Sequence, residues 1–296
     1  MSVFLPVATL FLLMLCGFFS AKRKLVDEHG VAALNKIVLT FALPALTLSS
    51  MQTTASPELI RNLLLVFVLS CVLMLLCGVV AYFLFGRETL ARRGVLTNLS
   101  MLSNCAFMGY PVVIATLGQD ALIIAVMYSA AFNLMVWTAG SFFFGGVRAM
   151  EPKRLLTNPP LLAVVGGLML LLTGWHLPDF LNDALEMLGN LTTPLAMFII
   201  GARLVDLRLS HLTDKSLLLA CALRLVLFPA LVLLLRLTPL PDEMVQVMFL
   251  CTAMPCAATT AMQSEMFPCD QALASRGVAL STAFSILTLP IMLMLL

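Results

Sequence analysis

Two stretches of this sequence combine backbone-breaking residues with side chains that hydrogen-bond. NLSMLSNCAFMGYP (Asn98 to Pro111) carries Asn98, Ser100, Ser103, Asn104 and then Gly109-Tyr110-Pro111. TAMPCAATTAMQSE (Thr252 to Glu265) carries Pro255, Thr259, Thr260, Gln263, Ser264 and Glu265. Both lie in long apolar runs. Proline has no N–H to donate and clashes with the carbonyl one turn back. In hydrocarbon the freed groups find no water, so a break persists only where it faces protein or a wet cavity. A proline opening a second half-helix leaves that half's first N–H groups free and aims its positive dipole end into the membrane. Two such ends, with amide and hydroxyl side chains, suit an anion such as a carboxylate. No acidic residue lies near the centre of either stretch, which leaves a cationic substrate without a counter-charge.

Other chemistry is missing. GxSxG, HExxH, Walker A and GxGxxG patterns do not occur, so neither an enzyme nor ATP hydrolysis is indicated. The eight cysteines include no CxxC and no Cys/His cluster, which argues against a disulfide framework, a zinc site or any cofactor. His29, His176 and His211 fall near loops and read as interfacial residues. Three charges need individual readings. Lys36, near one end of its run, snorkels to the interface. Arg224, a third to half way along its run, either pairs within the bundle or helps hold the anion. Glu265 forms an interfacial ion pair or takes part in proton coupling.

The elements that must position these groups follow from composition. Of 296 residues 61% are apolar and 11% charged, against about 25% charged in a soluble domain. Lipid has to be the solvent. The formal net charge of +2 gives no reason to expect nucleic acid as a partner. Ten stretches approach the ~20 apolar residues a crossing helix needs: 3–21, 32–51, 60–86, 95–117, 119–146, 159–176, 182–203, 214–236, 243–266 and 272–295. The N-terminal run has its basic residues, Lys22, Arg23 and Lys24, after rather than before it, the reverse of a secretory signal, and reads as an uncleaved first span. The fold class is therefore an all-α integral membrane protein.

The polar linker VRAMEPKRLLTNP divides the chain into halves, 1–150 and 151–296. The halves echo one another: NCAFMGYP recurs as MPCAATTA with Cys105 over Cys256, SAAFN ending at Asn133 as STAFS, and ALPALT around Pro44 as TTPLAM around Pro194. Five spans per half is odd, so the second half enters from the opposite side and the repeats are inverted. Thirteen of the seventeen basic residues fall in alternate loops, among them Arg92, Lys153, Arg208 and Arg276. The positive-inside rule then puts both termini on the non-cytoplasmic side.

LNKIVLTFALPAL, NLSMLSNCAFMGYPV, TAMPCAATTAMQSEMF and ALSTAFSILTLP together resemble the auxin efflux carrier family of permeases. That family includes bacterial malonate and malate permease-like proteins and is related to plant PIN carriers. The resemblance covers essentially the whole chain. It implies a bile-acid-transporter-like fold in which spans 1, 2, 6 and 7 form a scaffold and spans 3–5 and 8–10 a moving transport unit. Broken helices 4 and 9 cross at the midplane. It places the substrate at Asn104, Gly109, Tyr110, Pro111, Pro255, Thr259 and Thr260; the residues themselves add Asn98, Asn133, Arg224, Gln263 and Glu265 as accessory candidates. It implies an inner-membrane homodimer that moves small organic anions by an elevator-type mechanism. PIN carriers have adjacent Asn-Pro at the first crossover; here Asn104 and Pro111 are separated. The alternatives are a non-transporting receptor or sensor on the same fold, or an exporter of neutral amphipathic metabolites.

The loop charges make the topology testable. A single cysteine at position 92 or 153 should be labelled only from the cytoplasm, and either terminus only from outside. An inward C-terminus would break the ten-span inverted repeat.

Overall fold

The computed structural model describes residues 4–150, 152–206 and 213–296; Arg208, His211 and Glu151 of the linker lie outside them. Among the described residues the chain is helical, without strands. The helices are α1 (Phe4–Lys22), α2 (Glu28–Ser50), α3 (Pro57–Leu84), α4 (Leu90–Met101), α5 (Cys105–Leu117), α6 (Leu122–Gly145), α7 (Pro159–Thr173) and α8 (Asp179–Arg203). After them come α9 (Lys215–Leu237), α10 (Asp242–Ala253), α11 (Ala258–Ser264) and α12 (Gln271–Leu293). Among the described residues six helices, namely α2, α3, α6, α8, α9 and α12, are long and apolar enough to cross a membrane. The stretches expected as spans four and nine are each two shorter helices, α4 with α5 and α10 with α11.

Local sequence starts and stops many of these elements. The carboxylates of Asp27, Asp214 and Asp270 accept from Gly30, Leu217 and Leu273 N–H groups, and Asn158 accepts from Leu161 N–H, capping α2, α9, α12 and α7. Gly174 ends α7 in the left-handed conformation, with φ 66°. Along α3 the side chains of Leu64, Val68, Val72, Leu76 and Phe83 are exposed. Such an apolar row is intolerable in water and ordinary against lipid.

Four helices contain a π-helical turn: Val38–Ala42 in α2, Cys105–Gly109 in α5, Val136–Gly140 in α6 and Leu223–Leu227 in α9. Three are followed two residues later by proline: Pro44, Pro111 and Pro229. One extra residue per turn relieves the clash between the proline ring and the preceding carbonyl, so the helix swells instead of breaking. Pro290 lies inside α12.

The chain forms two compact units, each drawing on both halves of the sequence. The first comprises residues 1–67, 106–130 and 156–205. In it α1 packs on α8 at backbone distance: a Cβ on Gly17 would lie 2.0 Å from the Phe198 carbonyl oxygen, and one on Gly201 1.8 Å from that of Met14. Only glycine permits this approach. The second unit comprises residues 68–105, 131–155 and 206–296. Its core gathers Leu96, Leu99, Leu217, Ala220, Cys256 and Leu280. One edge is tied by charges. The Arg92 guanidinium lies 2.9 Å from Glu88, 2.7 Å from Asp214 and 3.6 Å from Asp270, and the Ser216 hydroxyl also donates to Glu88. These groups come from the α3–α4 loop and the starts of α4, α9 and α12.

The Ser216 and Arg92 hydrogen bonds hold the Glu88 carboxyl below its ordinary value. Burial raises that of Asp214, but Arg92 and the Leu217 N–H outweigh it and the net direction is down. Groups whose folded pKa is depressed stabilise above the unfolded carboxylate pKa of about 4, and that stability is lost as pH falls through the folded values. The thermal midpoint of the detergent-solubilised protein should therefore fall on acidification below about pH 4. Arg92→Met should lower the midpoint at neutral pH and flatten this acid limb; an unchanged acid limb would mean the cluster contributes nothing.

Candidate functional site

The chain is interrupted at Leu102–Asn104 and at Met254–Ala257. Pro255 explains the second interruption locally: the residue before a proline is pushed out of the helical region, and Met254 is extended at φ −67°, ψ 151°. The first interruption does not fall at Pro111, as the sequence suggested, but seven residues earlier. Pro111 sits in the first turn of the α-helical part of α5, behind its π turn. It does not open the second half-helix.

What holds the first interruption open is the second. Within the second unit the two extended segments lie side by side and antiparallel, with Ser103 opposite Cys256. Asn104 N–H donates to the Pro255 carbonyl at 2.8 Å, and Ala257 N–H to the Leu102 carbonyl at 2.9 Å. The exchange sets Leu102 opposite Ala257, Ser103 opposite Cys256 and Asn104 opposite Pro255; Pro255 takes part in it and Pro111 does not.

The interruptions also leave carbonyls at the ends of α4 and α10. Arg224, 1% exposed on the π turn of α9, reaches both. It donates to the carbonyls of Ser100 (3.1 Å) and Met101 (2.9 Å) and to that of Thr252. One guanidinium thereby satisfies the negative ends of two helices. Of the two roles left open for it, the geometry supplies pairing within the bundle. The Cys256 N–H, the remaining donor between the paired ones, goes to the Ser281 hydroxyl at 3.1 Å. Arg224 and Ser281 were not tied to the interruption by any motif; their partners are over twenty residues away and carry no periodic signal.

The other expected residues divide between the units. Asn104, Pro255, Thr259 and Thr260 belong to the second, with Asn98, Asn133, Arg224, Gln263 and Glu265. Gly109, Tyr110 and Pro111 belong to the first and are buried there. Asn104 is 8% exposed and Thr260 fully buried. Glu265 is exposed at the end of α11. The hydroxyl oxygens of Ser103, Thr259 and Thr260 are buried without a hydrogen-bond partner. In the first unit a separate cleft of about 550 Å3 is lined by Ser49, Ser50, Gln52, Asp120, Glu186 and Asn190. None of the residues expected at the site lines it.

Paired helix interruptions inside an apolar, multi-helix chain define a membrane protein of the transport class. The family described as membrane transport protein matches residues 2–153 and 146–293. The chain belongs to that family, the auxin efflux carrier family that its motifs resemble. It is 28% identical over 297 residues to an uncharacterized transporter of Methanothermobacter thermautotrophicus, covering 96% of this chain and 95% of that one. Over 295 residues it is 25% identical to an uncharacterized transporter of Methanocaldococcus jannaschii, at 96% and 95% coverage. With the uncharacterized transporter YfdV of Escherichia coli it shares 24% over 297 residues, at 94% and 93%.

Arg224→Ala should remove the guanidinium donor from the Ser100, Met101 and Thr252 carbonyls, at a cost of about 1–3 kcal/mol for each carbonyl left unsatisfied. Thermal unfolding in detergent should rank wild type above Arg224→Lys, and Lys above Ala, because an ammonium lacks the planar fork that spans two helix ends. Equal midpoints for wild type and Arg224→Ala would show that the carbonyls are satisfied without it.

Proposed function

We propose that this membrane transporter carries small organic anions, carboxylates, and binds them at the paired interruptions. The observation that supports the reading is the mutual pairing of residues 102–104 with 255–257. It sets the start of α11, whose positive dipole end favours an anion, beside the partnerless hydroxyls of Ser103, Thr259 and Thr260. Arg224 occupies the carbonyl ends, so the positive amide ends and a fixed positive charge remain without an acidic residue to oppose an anion. Within the second unit the substrate set is Asn104, Pro255, Thr259 and Thr260. The working arrangement is an elevator in the inner membrane. A scaffold built from expected spans 1, 2, 6 and 7, dimerised with a second copy, carries a mobile unit of spans 3–5 and 8–10 in an inverted ten-span fold.

Uptake or counterflow of radiolabelled organic acids in proteoliposomes tests this. Asn104→Ala should weaken apparent affinity up to about tenfold, as expected for a contact of roughly 0.5–1.5 kcal/mol. Pro255→Ala should let α10 run on and reduce transport more than Pro111→Ala, whose helix is already continuous. Pro290→Ala is the control. Normal transport by Pro255→Ala with loss in Pro290→Ala would place the site elsewhere, and a cationic substrate would overturn the helix-end argument.

A further inference from the structure

At one end of the first unit, basic residues from three helices gather without ion-pair partners. The Thr192–Arg203 stretch of α8 packs on Glu28–Ile37 of α2, and Asp179–Asn190 packs on Leu43–Ser50. Gly189 marks a close point of that packing, where a Cβ would lie 3.0 Å from the Leu46 Cα. The two helices therefore run antiparallel, and the end of α8 lies at the same end of the unit as the start of α2. The segment joining α1 to α2 is there as well. Lys22 closes α1, Arg23 and Lys24 follow it, Lys36 lies in the third turn of α2 and Arg203 closes α8. All belong to the first unit.

None of the five takes part in an ion pair; between described residues the ion pairs belong to Arg92 and Arg236. Lys22 lies over the Phe18 ring, 5.6 Å from its centroid. Arg203 is half-buried, and its guanidinium makes no hydrogen bond. A partly desolvated charge without a partner carries an uncompensated cost. Asp27 and Glu28 do not relieve it. Asp27 accepts from the Gly30 N–H, and both carboxylates sit at the positive start of α2. The second unit is the contrast, since its Arg92 has carboxylates on three sides.

Apolar rows lead away from this charged end. Leu12, Leu15 and Phe19 of α1 are exposed, and their spacing puts them on one face. Ile37 and Phe41 of α2 are exposed as well, one turn apart. Because α2 and α8 are long and apolar enough to cross a membrane, their ends lie at the level of lipid headgroups.

We propose that this end of the first unit binds an anionic phospholipid, with its phosphate on Arg203, Lys22 and Lys24 and its acyl chains along the apolar rows of α1 and α2. The planar guanidinium matches phosphate oxygens in a fork, while the lysines add charge without direction. Basic groups at the ends of membrane helices attract anionic headgroups over about a Debye length. A soluble phosphate would meet the same cations but would leave the apolar rows uncovered, so the lipid is the better match. The site is independent of what the transporter carries.

The test needs no substrate. The purified, delipidated full chain in a nonionic detergent is titrated with phosphatidylglycerol, with phosphatidylcholine of the same acyl chains, and with inorganic phosphate, and its thermal midpoint is followed. Phosphatidylglycerol should raise the midpoint saturably by several degrees, and the other two should not. Arg203→Gln should raise the half-saturating phosphatidylglycerol concentration about fivefold, the weight of one basic residue near an anionic surface. Arg203→Lys should raise it less, because the charge stays and the fork is lost. Arg87→Gln removes an exposed basic residue of the second unit and should leave the titration unchanged. The proposal is overturned if the two lipids act alike, or if phosphate alone reproduces the rise. It is equally overturned if Arg203→Gln titrates like the wild type, or if Arg87→Gln weakens the response as much, the result expected of diffuse attraction between surface charge and lipid. Should Arg203→Gln fail to fold, the double variant Lys22→Gln/Lys24→Gln takes its place, and an unshifted titration there overturns the site.

Discussion

Backbone polar groups in hydrocarbon have no water to turn to, and the rest of this structure is arranged around that constraint. A helix break there exposes several N–H and C=O groups at once, each costly if left alone. Here two breaks answer one another. Asn104 N–H and the Leu102 carbonyl find the Pro255 carbonyl and Ala257 N–H, and the carbonyls still left over converge on one guanidinium. Either interruption without the other would leave a buried donor and acceptor unpaired.

Arg224 also sets the electrostatics of the second unit. A buried charge is tolerated when it is hydrogen-bonded and its counter-charge is close. Arg224 donates from its two terminal nitrogens to main-chain carbonyls, with Nε buried and unpartnered, and the counter-charge is the partial negative charge of two helix ends. Its planar fork suits donors aimed at two helices at once, which a lysine ammonium cannot match. The unit therefore keeps a positive charge beside the interruptions.

Prolines act in this chain in different ways, and the difference is physical. Pro44, Pro111 and Pro229 each stand two residues beyond a π turn, where an extra residue absorbs the missing N–H and the ring clash. Pro255 has no such turn before it, and α10 ends at Ala253. A proline in a membrane helix thus produces either a bulge or a break, and neighbouring backbone decides which.

Much of the architecture was legible in the residues. Apolar runs and low charge determined a helical membrane protein; Pro255 marked the second interruption, because its effect on Met254 is local. The polarity of 98–111 and 252–265 marked the right stretches. Tertiary structure alone decided the rest. The first interruption falls at Leu102–Asn104, where no residue forbids helix, because only there do its backbone groups meet those of 255–257. Arg224 was visible as a costly charge, but its partners are carbonyls, which every residue carries and no sequence distinguishes.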